Sequence, residues 1–373
     1  MPGILEHVLQ FGGQTIYQKP FDELDALVLS QLVYMPMEGH MPPGEKTTVA
    51  EAWRFLEAHV PPESLDRFDR KRRELFGVCA SQPRCREWVM ENYVNIVDRE
   101  LEMQFCACTW VLPGGLRCIA FRGTDGHLAG WKEDFNLSFM IVPAQHEAAR
   151  YVLDAVRDSR DAFVLCGHSK GGNLALYAGA TADAQTLSSI RRVYTFDGPG
   201  LDEETFRSDG YARVYSRVES YIPQSSIVGM LLFDYPSYTV VQSSAFGILQ
   251  HNAMTWQVKD GAFVTLPRVD AASRLTDEAL HAWLDQVEPA QRKLLADTLY
   301  EVTGASQAET LSDFSAEPFE SAARMLGALR GLDSGVKRDV LRMIQLLFRA
   351  GAGSAVKELV STLLKLRGTK SDG

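Results

Sequence analysis

The sequence predicts an α/β fold in which a mostly parallel sheet is flanked by helices. After residue 103, short apolar segments alternate with segments of helical periodicity, and this alternation is typical of strands joined by helical crossovers. A glycine-rich turn joins one apolar segment directly to a helix, and both ends of the chain have helical periodicity. We therefore expect a helical N-terminal part at residues 1–100 that packs on the core, an α/β core at 101–268 and a helical C-terminal extension at 269–373.

Composition restricts the class of protein. The 373 residues are 46% hydrophobic and 23% charged, which is ordinary globular composition and allows a sizeable core. A net charge of −10 argues against nucleic-acid binding. The N-terminus has no signal-peptide pattern, and no segment approaches the ~20 apolar residues of a membrane span. The six cysteines lack zinc-site spacing and suit buried thiols. We expect a reduced, cytoplasmic protein without metal or cofactor.

The first hundred residues are predicted to be mostly helical. Apolar residues recur near helical spacing in 21–36, and acidic residues occupy the first turn of that segment. Helices are also expected at 47–59 and 62–76.

The core is predicted to alternate strands and helices from residue 104 onward. The sequence Pro-Gly-Gly at 113–115 predicts a turn between the first two strands. A helix is expected at 145–157, and a hairpin at 256–266 closes the core. The predicted strands are 104–112, 116–121, 162–166, 192–196, 212–218 and 238–243.

The strand at 162–166 runs directly into Gly167-x-Ser169-x-Gly171, and a predicted helix follows from Leu174. Strand, tight turn and helix in this order form the nucleophile elbow of α/β-hydrolases. Glycines are needed there because side chains would clash with the strand or the helix. Ser169 would stand at a helix N-terminus, where amide N–H groups stabilise an oxyanion. The alternative is a glycine-rich turn with Ser169 as a helix cap.

A serine nucleophile in this fold needs an acid and then a histidine later in the chain. Two histidines follow Ser169 with room for an acid between them, His251 and His281. His251 lies in a loop after a predicted strand, whereas His281 lies inside a predicted helix. We therefore predict His251 as the general base.

The acid has three candidates. Asp197 directly follows the strand after the elbow helix and stands in a Gly/Pro turn that would fix it. Glu219 follows the predicted strand 212–218, and Asp234 lies in the next loop. We expect Asp197, with Glu219 as the alternative and Asp234 behind both. Asp197 could instead be only an Asx-type turn residue.

These motifs resemble known families. Phe121–Thr124, Trp131 with Asp134, and Gly167–Gly172 are similar to the class 3 lipase pattern, although Lys170 stands where those lipases usually carry leucine. The closer resemblance, over about residues 20–260, is to the bacterial Mbeg-like hydrolases. It rests on Phe21–Asp25, Phe121–Asp125, Gly130–Phe135, Gly167–Asn173, Phe196–Gly200, Ile222–Leu231 and Gln250–His251.

The resemblance implies an α/β-hydrolase fold and an esterase or lipase activity. It also implies an oxyanion hole, formed by the Gly123–Thr124 loop and the backbone N–H of Lys170. Such a hole needs two N–H donors that converge where the carbonyl oxygen becomes an oxyanion.

We therefore predict a serine ester hydrolase that acts on an ester or acyl small molecule through Ser169, His251 and Asp197. The alternative is a catalytically idle hydrolase-fold module that binds a partner through its helical ends. From residue 335 onward, the sequence contains eight Lys or Arg residues and three Asp or Glu residues. This basic C-terminal segment predicts a solvated helical face or, as the alternative, weak contact with an anionic membrane surface.

The apolar segment 224–236 separates two predicted strands. It is too apolar for an open loop. We expect either a lid or pocket wall with Gly229 as a hinge, or a short helix packed in the core.

Overall fold

A nine-stranded sheet organises the chain, and its strand order is β1-β2-β3-β4-β5-β6-β7-β8-β11. The structure is a computed structural model that describes residues 2–270, except 99, 125–136, 138–140, 158, 227 and 231–236, and beyond them only 291, 298, 335 and 338. The strands are β1 Lys46–Thr48, β2 Val89–Asp98, β3 Met103–Leu112, β4 Leu116–Phe121, β5 Ala162–His168, β6 Ile190–Phe196, β7 Val218–Pro223, β8 Thr239–Val241, β9 Val258–Lys259, β10 Ala262–Phe263 and β11 Thr265–Leu266.

Helices cover both faces of this sheet. They are α1 Ile4–Phe11, α2 Glu23–Leu32, α3 Val49–His59, α4 Arg67–Ser81, α5 Pro143–Arg157, α6 Lys170–Thr181, α7 Ala184–Ser189, α8 Glu203–Phe206 and α9 Asp209–Val214. Helix α2 packs on β4 and β5 on one face, while α6 packs on β5 and β6 on the other. The described strands and helices together form the α/β architecture that the sequence predicts.

Strand β3 shows how the sequence specifies two cores. Cys106, Cys108 and Trp110 belong to the core beneath the N-terminal helices, while Phe105 and Ala107 belong to the core beneath α5 and α6. Successive side chains of a strand point to opposite faces, so a continuously apolar strand requires cover on both sides. All six cysteines are free buried thiols, as the sequence suggests.

The sheet is mixed rather than mostly parallel, which corrects the sequence prediction. Strands β4 to β8 pair in parallel, whereas β1 to β4 pair antiparallel and β11 is antiparallel to β8. The antiparallel half forms because a short connection joins β3 to β4, and parallel neighbours would need a crossover of a dozen residues or more. The predicted strands at 104–112, 116–121, 162–166 and 192–196 are confirmed. The hairpin predicted at 256–266 is shorter, because β9 pairs with β10 whereas β11 pairs with β8.

Two strands lie within the first hundred residues, which the sequence analysis predicts to be mostly helical. Strand β2 pairs with β3, but its register shifts between Glu91 and Val94, and Asn92 has a φ of 53°. This bulge breaks the two-residue alternation by which a half-buried strand is recognised.

The predicted strand at 212–218 is wrong. Residues 209–214 form α9 and residues 215–217 a 3₁₀ turn, so the strand begins only at Val218. Ser208 caps α9 by accepting a hydrogen bond from the Tyr211 N–H (3.1 Å), and Tyr211 and Val214 are buried one helical turn apart. The apparent alternation in this segment is therefore one face of a short helix.

The register of the parallel strands brings their carboxyl ends to one edge of the sheet. Phe121 at the end of β4 pairs with Gly167 of β5. Likewise, His168 at the end of β5 pairs with Phe196 of β6, which pairs with Tyr221 of β7. The residues that follow these strands therefore meet at the edge where α/β proteins bind ligands.

The chain divides into two compact units, Met1–Val269 and Asp270–Gly373. All the elements named above belong to the first unit. The basic C-terminal segment and its membrane alternative fall almost wholly outside the described residues. Within the part of the chain that the structure describes, the helices are too short or too polar to cross a bilayer.

Candidate active site

Ser169 occupies a strained turn between β5 and α6. Its φ of 58° and ψ of −133° lie outside the regions that residues with a side chain prefer. A Cβ on Gly167 would overlap the backbone of Gly171, and a Cβ on Gly171 would overlap the Phe121 carbonyl. Both glycines are therefore required by close backbone approach, as the elbow interpretation predicts.

The neighbours of Ser169 come from both adjacent strands. Its N–H donates to the Phe196 carbonyl (3.0 Å) at the end of β6. On the other side, a Cβ on Gly123 would lie 3.0 Å from the Ser169 Cβ. The serine, which is partly exposed, thus lies between the Gly123 loop and the turn that contains Asp197.

Asp197 directly follows β6 and is 1% exposed. Its Oδ1 accepts hydrogen bonds from Ser226 Oγ (2.5 Å) and the Gly229 N–H (3.1 Å), and its Oδ2 contacts His251 Nδ1 (2.7 Å). A Cβ on Gly229 would lie 2.5 Å from Asp197 Oδ1, so that glycine is needed for contact with the carboxylate. Both oxygens of the buried carboxylate are thus held in place.

His251 ends the 3₁₀ turn Gly247–His251, and its side chain is 27% exposed. Further contacts besides Asp197 hold this turn. The His251 carbonyl lies 2.7 Å from His168 Nε2, and the carbonyl of Gln250 accepts from Trp256 Nε1 (2.8 Å). Among the described residues His251 does not hydrogen-bond Ser169 Oγ, and such bonds often tighten only when substrate binds.

The Thr124 hydroxyl lies beside the elbow in the Gly123–Thr124 loop. Its Oγ1 is buried and has no hydrogen-bond partner within the described part of the chain.

Lys170 begins α6, and its side chain is buried (2% exposed). Nζ donates to the Gln104 carbonyl of β3 (2.9 Å). Its aliphatic stem fills the place of an apolar residue while the charged end is hydrogen-bonded. The Lys170 side chain is therefore bound to β3.

Glu219 is not brought to His251. It lies inside β7 rather than after a strand, and its carboxylate binds Arg192 (2.9 Å) and the Tyr221 hydroxyl (3.0 Å). Glu219 has this position because β7 begins at Val218, whereas the sequence predicts a strand that ends there. The third acid candidate, Asp234, and the second histidine candidate, His281, lie outside the described residues.

Three residues contact the site in roles that the sequence analysis does not assign to them. Ser226 and Gly229 hold Asp197, and both lie in the segment Ile222–Leu231 that supports the family resemblance. Tyr34 contacts His168 across 134 residues of sequence, and no motif marks it. No group of three or more His, Cys, Asp or Glu side chains suited to a metal occurs in the described ranges.

The lid interpretation of 224–236 is only partly within the described residues. Val228–Met230 form a 3₁₀ turn, and Met230 is buried with Ile222, Val240 and Val269. Gly229 is thus buried against Asp197, whereas 231–236 lie outside the described ranges.

Residues 79–301 of this chain match the model of the Mbeg1-like family, which covers more than half of the sequence. The chain belongs to the Mbeg1-like family. A solved structure described as the crystal structure of M37 lipase is similar to this Mbeg1-like chain, with 14% sequence identity, coverage of 56% of this chain and 69% of that one, and a TM-score of 0.36. No curated protein matches the chain.

Proposed function

We propose that the chain is a serine ester hydrolase with an α/β-hydrolase fold, which forms an acyl-enzyme on Ser169. The proposal is carried by the 2.7 Å contact between His251 Nδ1 and Asp197 Oδ2. This contact lies at the sheet edge where Ser169 occupies its strained turn. The resemblance to class 3 lipases points to the same chemistry, with carboxylic esters of small molecules as substrates.

In the first half-reaction, His251 takes the proton of Ser169 Oγ as Oγ attacks the ester carbonyl carbon. Because Nδ1 is held by Asp197, Nε2 is the nitrogen that exchanges this proton. Asp197 fixes the imidazole tautomer and stabilises the imidazolium. The tetrahedral intermediate collapses as His251 gives the proton to the leaving alcohol, which leaves an ester on Ser169.

In the second half-reaction, water replaces the alcohol. His251 removes one proton from water as its oxygen attacks the acyl carbon, and then returns that proton to Ser169 Oγ as the carboxylic acid departs. In both steps the oxyanion would be stabilised by the backbone N–H of Lys170 and by the Thr124 loop, whose buried hydroxyl lacks a partner among the described residues.

The test combines covalent labelling with turnover. A fluorophosphonate probe and a short p-nitrophenyl ester are applied to the wild-type protein, Ser169→Ala and Ser188→Ala. Ser188 is the control because it is an exposed serine on α7 whose hydroxyl donates to a carbonyl of its own helix (Gln185, 2.6 Å). We expect Ser169→Ala to lose the label and about 10⁴-fold in turnover, with Ser188→Ala unchanged.

Two outcomes contradict the proposal. Turnover and labelling that persist in Ser169→Ala would remove the nucleophile. A folded wild-type protein that neither labels nor hydrolyses esters would favour the idle binding module instead.

A further inference from the structure

A chain of buried hydrogen bonds passes through Tyr34 and joins the two sides of the candidate site. The Gly123 N–H donates to the Tyr34 hydroxyl oxygen (3.1 Å), and that hydroxyl lies 3.2 Å from His168 Nδ1. His168 Nε2 in turn lies 2.7 Å from the His251 carbonyl. Tyr34 and His168 are 6% and 3% exposed, so water is excluded from the two bonds of the Tyr34 hydroxyl, while the bond to the His251 carbonyl is partly buried.

The donor and the acceptor of each of these hydrogen bonds can be assigned. A carbonyl oxygen can only accept, so His168 Nε2 must carry the proton that bonds His251. Burial holds the pKa of His168 well below its usual 6.5, so the ring is neutral and Nδ1 is an acceptor. The Tyr34 O–H must therefore donate to Nδ1, and its oxygen accepts from Gly123.

Tyr34 itself is held firmly. The Arg72 guanidinium lies 3.7 Å from the centre of its ring, a cation–π contact. Burial raises the pKa of Tyr34 to about 12, with nearby Arg72 and Arg122 opposing the rise. The hydroxyl is thus a proton donor throughout the neutral range.

The position of Gly123 depends on the same hydroxyl. A side chain on Gly123 would overlap the Tyr34 hydroxyl and the His168 carbonyl. The loop that leads to Thr124 is therefore packed against Tyr34 on one side and against the Ser169 turn on the other.

We propose that Tyr34 is a positioning residue that, through His168, fixes the Gly123–Thr124 loop and the His251 turn relative to each other. This inference rests on the proposed function, because it assigns an oxyanion hole to one loop and a general base to the other. Its physical basis is that these groups must act on one carbonyl at the same time. Misplacement by about an ångström costs up to ~10²-fold in rate.

The test is Tyr34→Phe, which keeps the ring and the cation–π contact but removes the hydroxyl. Tyr93→Phe is the matched control, because Tyr93 is buried in the same core and its hydroxyl donates to Glu38 (2.9 Å) rather than to the site. We expect Tyr34→Phe to lower kcat and the phosphonylation rate about 10- to 100-fold. KM should stay within about twofold, and Tyr93→Phe should keep both rates within about twofold.

A second measurement does not depend on activity. In protein labelled with ¹⁵N-histidine, Tyr34→Phe should move the His168 Nδ1 resonance toward that of an unbonded nitrogen, while Tyr93→Phe should leave it unchanged. A double-mutant cycle with His168→Gln should be non-additive in kcat, since both changes break one chain.

The outcomes separate the two proposals. If the wild-type protein labels at Ser169 and Tyr34→Phe reacts equally fast, the positioning role is overturned and the proposed function stands. Equal rate losses in Tyr34→Phe and Tyr93→Phe would also overturn it. If the wild-type protein does not label, the proposed function is overturned, and this inference falls with it whatever the His168 resonance shows.

Discussion

Asp197 is fixed more tightly than a turn residue requires. Its backbone N–H donates to the Tyr221 carbonyl (2.8 Å), and its φ is 48°. Ser226 and Gly229 bond one carboxylate oxygen, while His251 contacts the other. A side chain that only completed an Asx turn would bond its own backbone, whereas this carboxylate contacts two other segments of the chain.

Asp197→Asn is expected to lower kcat/KM about 10⁴-fold, because the amide cannot hold the His251 tautomer that the reaction needs. Glu219→Gln is the control, since the Glu219 carboxylate binds Arg192 and not the histidine. Its kcat/KM should stay within about threefold. Ester kinetics of the two variants measure this ranking, and the reverse ranking would contradict the role assigned to Asp197.

The residues of the site differ in how far the sequence predicts them. Ser169 is marked by a local motif, and Asp197 and His251 by their positions after strands. Glu219 is an acid candidate only if a strand ends at Val218. The short helix α9 has an apparent alternation in its sequence, so the start of β7 at Val218 is not evident from the sequence. Tyr34 could not be predicted, because its contact with His168 is created only when α2 packs on the sheet.

At the scale of elements, regular alternation decided what the sequence could predict. Strands β3 to β6 each contain at least four consecutive buried residues, and the sequence predicts all four of them. Strand β2 contains the bulge at Asn92, which shifts its later residues onto the other face. The short strand β1 has only three residues, too few to show a period.

Helix α2 is tied to the chain by a buried ion pair. Arg84 binds both carboxylate oxygens of Asp25, at 2.7 and 2.5 Å. The same guanidinium donates to the carbonyls of Gln14, Lys19 and Pro20. One arginine thus donates hydrogen bonds both to a buried carboxylate and to backbone carbonyls of the irregular segment that precedes α2.

Arg84→Met should therefore destabilise the protein by about 3–5 kcal/mol, because it leaves a buried charge and several carbonyls without donors. Arg86→Met is the control, since the pair of Arg86 with Glu87 (3.0 Å) is exposed. Its effect should stay below about 1 kcal/mol. Urea unfolding measures both, and similar midpoints for the two variants would contradict the assigned role of Arg84.

At the scale of the whole molecule, stability depends on pH through buried imidazoles. His7 of α1 is 5% exposed, and burial, aided by the charge of Lys19, lowers its pKa from 6.5 to about 4. Below pH 6.5 His7 binds a proton in the unfolded chain, whereas in the folded chain it stays neutral until about pH 4. The folded state therefore loses stability as the pH falls through this window.

His7→Leu should remove this loss. Between pH 7 and pH 4.5, the wild-type protein should lose about 2–3 kcal/mol more unfolding free energy than the variant. His59→Gln is the control, because that histidine is exposed at the end of α3. Urea unfolding at the two pH values tests this, and parallel losses in all three proteins would show that His7 does not contribute.

The six buried thiols allow openings of the sheet to be detected by thiol chemistry. Cys106, Cys108, Cys118 and Cys166 lie between the sheet and the N-terminal helices, and burial raises the pKa of Cys108 and Cys118 further above the reactive range. A thiol reagent can reach these sulfurs only when that layer separates. The rate at which the native protein consumes such a reagent therefore reports openings of this half of the molecule without any substitution in the sequence.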